Sequence, residues 1–351
     1  MSRNRDFGSA AGSLAAPSST YNGYSNVVDT TQSSGWNYAG NQAAGKNFLI
    51  NGGMDFFQRN TWAGSSNWSL DRWFVTNYGS NQNGMTVTQG TTNPPAGFKY
   101  YMKVLTASTT YTNCTIAQSL ETIDVLRLAG KTVTLSFYYR VPIAWTYNWG
   151  YNVFYSTNTD QNLNPSVSGN VTVSSSSGVI VTNVVNNTWT YVTKTFTVPS
   201  NATSLAVEFE QYNNIISGSE IDITGVQLEI GSVATPFSRA GGLIGLEQQL
   251  CERYYQLVPN FPQVLTYLSS FGNSYSSIQP YRTPMRIAPI LTYVDDASNS
   301  GKVTVYNSAG TATNNITPSV TSHFPYGYRL YVSGQYAYME GLTLALNAEL
   351  V

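Results

Sequence analysis

Two segments about 150 residues apart constrain this chain more than any other part of it. The first runs Asn47-Phe48-Leu49-Ile50-Asn51-Gly52-Gly53-Met54-Asp55-Phe56-Phe57-Gln58-Arg59 and is followed by Ser69-Leu70-Asp71-Arg72-Trp73. The second is Ile221-Asp222-Ile223-Thr224-Gly225-Val226-Gln227-Leu228-Glu229-Ile230-Gly231, closing on Ala234-Thr235-Pro236-Phe237. Both read as strands at the two edges of one polar, turn-rich stretch. That is the pattern of a β-sandwich whose first and last strands are neighbours. In the second segment Ile221 and Ile223 alternate, then Val226, Leu228 and Ile230 continue with the phase shifted at Gly225. One extra residue at a glycine marks a β-bulge.

The stretch between is all-β in pattern. Val133, Leu135, Phe137 and Tyr139 alternate with Thr134, Ser136 and Tyr138, and residues 188–192 and 204–210 repeat the alternation. Asn81-Gln82-Asn83-Gly84, Asn93-Pro94-Pro95-Ala96-Gly97 and Ser174–Gly178 supply turns. Residues 47–240 are therefore one sandwich domain. A helix is expected over 242–257, within a connecting segment 241–258. Leu243, Leu246, Leu250, Tyr254 and Leu257 form its apolar stripe, with Glu247, Gln248, Glu252 and Arg253 opposite. After Pro259 short strands return at 264–271, 289–294, 302–306, 328–333 and 335–346, which makes 259–351 a second, smaller β domain. Residues 1–46 are a Ser-, Ala-, Gly-, Asn- and Thr-rich arm. Its composition cannot bury enough apolar surface to fold alone, so it is expected either to be a disordered leader or to be held by another subunit. Extended, it could reach up to ~150 Å.

Composition narrows the function. Only 10% of residues are charged and the net charge is −1, so the clustered cations of a nucleic-acid surface are missing. Aromatics reach 13%, with 26 tyrosines among many Asn, Ser, Thr and Gly. Such a surface suits sugars or other proteins. No run approaches the ~20 apolar residues of a membrane helix, and Met1-Ser2-Arg3-Asn4-Arg5-Asp6 is not followed by the apolar core of a secretory signal. The chain is expected to be soluble and made in a reducing cytoplasm. Cys114 and Cys251 are expected in different domains, as buried thiols rather than a disulfide.

Asn47–Arg59 with Asp71-Arg72-Trp73 resembles the opening of the jelly-roll module of tailed-bacteriophage tail-fibre-like and virion appendage proteins. Gly225–Gly231 with Ala234-Thr235-Pro236-Phe237 resembles its close. Cys251-Glu252-Arg253-Tyr254-Tyr255, Pro284-Met285-Arg286-Ile287-Ala288-Pro289 and Ala348-Glu349-Leu350 are similar to segments that follow the module in that group. The first six residues are similar to the start of tail-fibre-like proteins of cyanobacterial phages. The resemblance implies a carbohydrate-binding-module-like jelly roll, a homotrimer, and a place on the virion after assembly in the host cytoplasm. It also implies contact with other virion proteins through residues 1–46. A long fibre does not follow, because no shaft or repeat array separates arm from module.

Three sets of residues are candidates. Trp145, Tyr147, Trp149 and Tyr151 would share one face of a strand and form a flat platform for sugar rings. The same row fits a sandwich core or a subunit interface more simply, because aromatics of this size dominate buried surfaces. Asp71 and Asp222, with Asn51, Asp55 and Glu229, offer oxygen ligands for the structural calcium that similar jelly rolls carry. No compact loop repeats Asp at ligand spacing, and Asp71-Arg72 reads more simply as structural hydrogen bonding. Leu246, Leu250 and Tyr254 would make an oligomer contact along a three-fold axis, or pack the helix on its own domain. Catalysis lacks support. His323 is the only histidine and reads as an exposed loop residue, and Glu208 with Glu210 reads as two acids on a solvated face. The expectation is a non-enzymatic virion component, a compact trimeric appendage that needs no cofactor and binds host cell-surface polysaccharide. The alternatives are a capsid or tail decoration protein without a ligand and, last, a polysaccharide depolymerase.

Overall fold

The computed structural model describes residues 46–350, apart from 60–61, 64–65, 80–84, 107–110, 146–147, 164–170, 176–183, 213–217, 325 and 342. The arm up to residue 45 and the Asn81–Gly84 turn therefore lie outside the described residues. Residues 46–350 are nearly all β and hold two separate hydrophobic cores.

The first core is enclosed by twelve strands: β1 (Trp62–Ala63), β2 (Ser66–Trp68), β3 (Phe74–Gly79), β4 (Met85–Gly90), β5 (Tyr101–Thr106), β6 (Tyr111–Leu120), β7 (Thr132–Trp145), β8 (Asn148–Ser156), β9 (Val171–Ser175), β10 (Val184–Thr197), β11 (Ser204–Tyr212) and β12 (Glu220–Ile230). They form two six-stranded antiparallel sheets, ordered β1-β4-β5-β12-β7-β10 and β2-β3-β6-β11-β8-β9. The chain changes sheet at most steps, which is the winding of a jelly roll. Alternation decides which side chains fill it. Val133, Leu135 and Phe137 of β7 and Leu205, Val207 and Phe209 of β11 are fully buried between the sheets.

The closing segment is a strand, β12, and its register slips between Thr224 and Gln227, with Gly225 at φ 65°. The expected bulge is there. The opening segment is not a strand: residues 49–53 form a turn run, laid against the bulged part of β12. The Asn47 carboxamide spans the gap. Its Oδ1 accepts from Leu228 N at 3.0 Å, and its Nδ2 donates to Val226 O at 3.0 Å. Phe48 N donates to Leu228 O and Val226 N to Gly52 O, both at 2.9 Å. A Cβ on Gly52 would stand 2.0 Å from Val226 O, so only glycine permits this approach. The two segments are neighbours as expected, joined through side-chain amides and turn backbone where strand pairing was anticipated.

Two helices are present among the described residues. The sequence pattern missed α1 (Thr122–Leu128), which buries Val125 and Leu128. The second, α2, spans only Ile244–Glu252, and the chain leaves it at Arg253-Tyr254 to enter the strand β13 (Tyr255–Pro259). The helix is also turned over relative to expectation. Glu247, Cys251 and Glu252 are its buried residues, while Leu243 is 71% and Leu246 47% exposed. Glu247 is buried because it staples two turns. Its Oε1 accepts from Asn51 N at 2.6 Å and its Oε2 from Gly241 N at 2.7 Å. Burial raises its carboxyl above the usual range, and the two backbone donors pull back against that. Cys251 is a free, buried thiol, as anticipated, whereas the side chain of Cys114 lies outside the described residues.

The second core lies under β14 (Gln263–Leu268), β15 (Asn273–Ser276), β16 (Gln279–Pro280), β17 (Ile290–Val294), β18 (Val303–Tyr306), β19 (Ala312–Ile316), β20 (Ser319–Phe324), β21 (Gly327–Ser333), β22 (Tyr338–Glu340) and β23 (Thr343–Asn347). One sheet runs β13-β23-β17 and the other β16-β21-β15-β14-β22-β18-β19, with β20 on β21. His323 lies on β20, opposite Tyr328, and not in a loop.

The Asp71-Arg72-Trp73 turn ties the two cores together. Arg72 takes φ 72° and sends its buried guanidinium to the Glu349 carboxylate and, at 2.7 Å, to Ser119 O. It lies 3.6 Å from the centroid of the Tyr254 ring. Glu349 also accepts from Arg59 at 2.9 Å. Trp73 is buried in the first core, with its indole N–H donating to Asn51 O at 3.2 Å.

Candidate ligand-binding groove

The outer face of the β1-β4-β5-β12-β7-β10 sheet carries what the alternation leaves outside. On β7 these are Ser136, Tyr138 and Arg140, and on β10 Trp189 and Tyr191. Tyr191 is paired across the strands with Tyr138. Their rings lie 4.7 Å apart, Phe98 meets Tyr138 edge-on at 5.6 Å, and Phe237 meets Phe98 at 5.0 Å. These four rings line an open groove of about 490 Å³ that also takes in the polar residues Ser136 and Thr235. Tyr191 remains 44% exposed there.

Each wall has a local cause. At the Gly225 bulge a Cβ would lie 2.6 Å from Phe98 Cζ, so the glycine makes the space in which Phe98 sits. Beyond the bulge, Val226 and Leu228 face the core and Gln227 and Glu229 face the following loop. Glu229 accepts from Thr235 N at 2.8 Å and Thr235 Oγ1 at 2.6 Å, and Gln227 accepts from Ser238 N at 2.7 Å. Lys46 donates to Thr235 Oγ1 and, at 2.7 Å, to Pro236 O. The closing motif thus fixes Phe237 in place. The 91–98 loop carrying Phe98 is pinned separately. Arg140 donates to Asp222 Oδ2 at 2.9 and 2.7 Å and to Asn93 O at 3.1 Å, and Trp189 donates to Asn93 O at 2.7 Å. The Arg140 guanidinium lies 4.7 Å from the Trp189 ring and 5.0 Å from the Tyr101 ring. Burial raises the Asp222 carboxyl to about 7 against the opposing pull of Arg140.

The structure rearranges the residues singled out from the sequence. Trp145 ends β7 in one sheet, and Trp149 and Tyr151 belong to β8 in the other, so the aromatic row is not one strand. Tyr151 is a core residue, its ring 6.5 Å from Phe137, and is corrected from a surface platform to packing. Tyr147 lies outside the described residues, as do the side chains of Trp145 and Trp149. Asp71 and Asp222 do not share a site. Asp71 accepts from Gln58 Nε2 at 2.7 Å and pairs with Arg59, while Asp222 pairs with Arg140. Among the described residues no group of three or more His, Cys, Asp or Glu could hold a metal ion. Tyr254 is buried within its own chain between Arg72 and Glu121, which removes it from the oligomer contact. Leu246 is exposed and Leu250 half-buried.

Glu208 and Glu210 are not on a solvated face. Both are buried, and one amide, Asn152 Nδ2, donates to the two at 3.0 and 2.9 Å. Burial raises the Glu208 carboxyl to about 8, and its Oε2 has no partner among the described residues.

Phe98, Tyr138, Tyr191 and Phe237 were not singled out from the sequence. Tyr138 and Tyr191 occupy outward positions of well-marked strands, which was the available signal. Phe237 stands at the end of the closing motif.

No protein-family model matches the chain, and no curated protein does. Among solved structures it is similar to the enzymatically active domain of bacteriophage CBA120 tailspike protein 4, at 17% identity and TM-score 0.35, over 53% of this chain and 22% of that one. It is also similar to a putative sugar-binding protein from Bacteroides thetaiotaomicron, at 14% identity and TM-score 0.34, over 53% of this chain and 100% of that one. A third likeness is to TmCBM61 in complex with β-1,4-galactotriose, at 13% identity and TM-score 0.32, over 53% of this chain and 99% of that one. These likenesses are remote, and the jelly roll follows from the strand pairing of this chain itself.

Proposed function

We propose that this chain is a non-enzymatic virion component that binds glycans of the host surface through the Phe98–Tyr138–Tyr191–Phe237 groove. The observation that carries the binding half is that groove: four aromatic rings, four hydroxyl-bearing side chains (Ser136, Tyr138, Tyr191 and Thr235) and, among the described residues, no charged one in its lining. Sugar rings offer apolar C–H faces to stack and hydroxyls to bond, and this lining matches both. The virion half rests on the opening and closing motifs and their resemblance to phage appendage proteins. Residues 1–46 would be the anchor to other virion proteins. Leu243, Ile244 and Leu246 leave an apolar edge at the start of α2 that suits self-association; the homotrimer rests on the resemblance, and several weak sites on one particle gain strength by avidity.

The pairing of Glu208 with Glu210 gives the depolymerase reading its one observation. Two carboxyls, one of them raised, are the kit of a glycosidase. A fully buried Glu208 does not reach a substrate, however, and the groove lies on the other sheet. A decoration protein without a ligand would leave the groove unused. Glycan-array binding by the intact chain that falls by about tenfold or more in a Tyr138→Ala, Tyr191→Ala double variant supports the reading. Binding to no glycan would favour the decoration role, and labelled antibody that fails to decorate purified particles would remove the virion assignment.

A further inference from the structure

The second domain buries hydrogen-bonding groups that its own fold leaves unused. Gln263 of β14 is 3% exposed; its Nε2 donates to the Tyr328 hydroxyl at 3.1 Å, and its Oε1 has no partner among the described residues. Tyr281 is 7% exposed, and its hydroxyl has no partner there either. The Tyr293 hydroxyl, in the same core, is a third. Burial first, and the Tyr281 hydroxyl second, hold the Tyr293 hydroxyl above its ordinary range, which places the two close together. Unpaired buried polar groups are costly and rare, so their gathering in one core points to a ligand. Gln263 and Tyr281 both line a recess of about 190 Å³ that reaches the surface at Asn260, Pro262 and Pro280. The Tyr281 and Tyr328 rings stack in its wall at 5.7 Å and 20°. Arg282, the one charged residue in the lining, is already engaged. Its Nε faces Glu252 at 3.4 Å and its Nη2 donates to Leu257 O at 3.0 Å.

We propose that this recess is a second saccharide site and that it takes one neutral pyranose ring, free or at the end of a glycan, bonded to Gln263 and Tyr281. Gln263 Oε1 can only accept, so it needs a donor and disfavours an anion. The Tyr281 hydroxyl both donates and accepts. Among the described residues no carboxylate lines the recess to hold a cation, and an apolar guest would leave both groups unpaired. A sugar ring answers each requirement. Its hydroxyls donate and accept on neighbouring carbons, and its C–H face packs on tyrosine rings. The volume is several times what one water needs and smaller than a drug-sized site, which suits a single ring. Gln263, Tyr281 and Tyr328 belong to the second core and the four rings of the first groove to the other domain, so the inference does not depend on that groove.

The test is saturation-transfer NMR on the full chain with the methyl glycosides of glucose, galactose, mannose and N-acetylglucosamine. At least one is expected to bind, and tetrahydropyran-2-methanol, a ring with a single hydroxyl, to bind about fivefold more weakly or less. Tyr281→Phe deletes a hydroxyl that bonds nothing within the fold, so it should keep the melting temperature while weakening the glycoside by about fivefold or more. Gln263→Leu provides a second variant with the same expected loss. The Tyr138→Ala, Tyr191→Ala variant of the first groove should bind the glycoside unchanged. A disaccharide ending in the same sugar that binds as tightly as the glycoside identifies a glycan end as the natural ligand, and one that binds more weakly a free sugar. Binding of none of the glycosides, unchanged affinity in folded Tyr281→Phe, or equal affinity for the single-hydroxyl ring overturns the proposal. Binding that is lost in the first-groove variant and kept in Tyr281→Phe overturns it while leaving the first groove standing. A crystal soaked in the bound glycoside that shows only ordered water between Gln263 and Tyr281 overturns it as well.

Discussion

Replacing Glu349 by alanine removes the shared acceptor of two arginines. Arg72 is almost wholly buried, donates to Ser119 O at 2.7 Å, and faces Glu349 with its other nitrogen. Arg59 reaches the same carboxylate at 2.9 Å. Breaking a buried pair from one side costs about 3–5 kcal/mol, because the remaining charge stays in a poorly solvated place. The Tyr254 ring 3.6 Å from the Arg72 guanidinium and the nearby Asp71 offset part of this, which puts the expectation at about 3 kcal/mol. Whole domains are stable by only about 5–15 kcal/mol, so the loss is large. Urea unfolding followed by tryptophan fluorescence would read it, since Trp73 lies beside Arg72 in the chain and is buried. Replacing Arg72 by Met and Glu349 by Leu together should recover much of the loss, as apolar replacements of buried pairs do. A change below about 1 kcal/mol in Glu349→Ala, the size of a surface pair, would refute the claim that this carboxylate locks the two cores together.

Glu208 is raised to about 8 in the fold from an ordinary 4.5. The folded state therefore holds a proton that the unfolded state releases. This contribution to stability is complete below pH ~4.5 and is lost as pH climbs through about 8, at a slope of up to about 1.4 kcal/mol per pH unit. Glu208→Gln should flatten that fall when melting is followed across this range. Gly225→Ala combines a φ of 65° with a Cβ 2.6 Å from Phe98 Cζ; it should destabilise by at least about 1 kcal/mol and displace Phe98, seen as lost glycan binding. Leu243→Asp with Leu246→Asp, at exposed positions around the start of α2, should leave the melting temperature within a few degrees and convert an oligomer to monomer in sedimentation velocity; an unchanged oligomer would place the contact elsewhere.

Much of the fold was legible because it rests on local pattern. Alternation in Val133–Tyr139 and Ser204–Glu210 marks strands whose inner residues fill the core, and the phase shift at Gly225 is a bulge. The buried face of α2 was not legible. Leucine spacing points one way, yet Glu247 faces inward because it binds backbone N–H groups at Asn51 and Gly241, and Asn51 is far from it in sequence. The dense run Trp145–Tyr151 misled for the opposite reason. Its aromatics are adjacent in sequence, but the chain passes from one sheet to the other between Trp145 and Asn148. The groove draws its rings from four separate segments far apart in sequence, and only the fold brings them together.

The central claim is that the Phe98–Tyr138–Tyr191–Phe237 groove holds a glycan. The most direct measurement is saturation-transfer NMR between the intact chain and its best array ligand, compared with the Tyr138→Ala, Tyr191→Ala variant at matched folding. The account predicts transfer from aromatic protons to the sugar ring that disappears in the variant. Transfer that persists unchanged would contradict it.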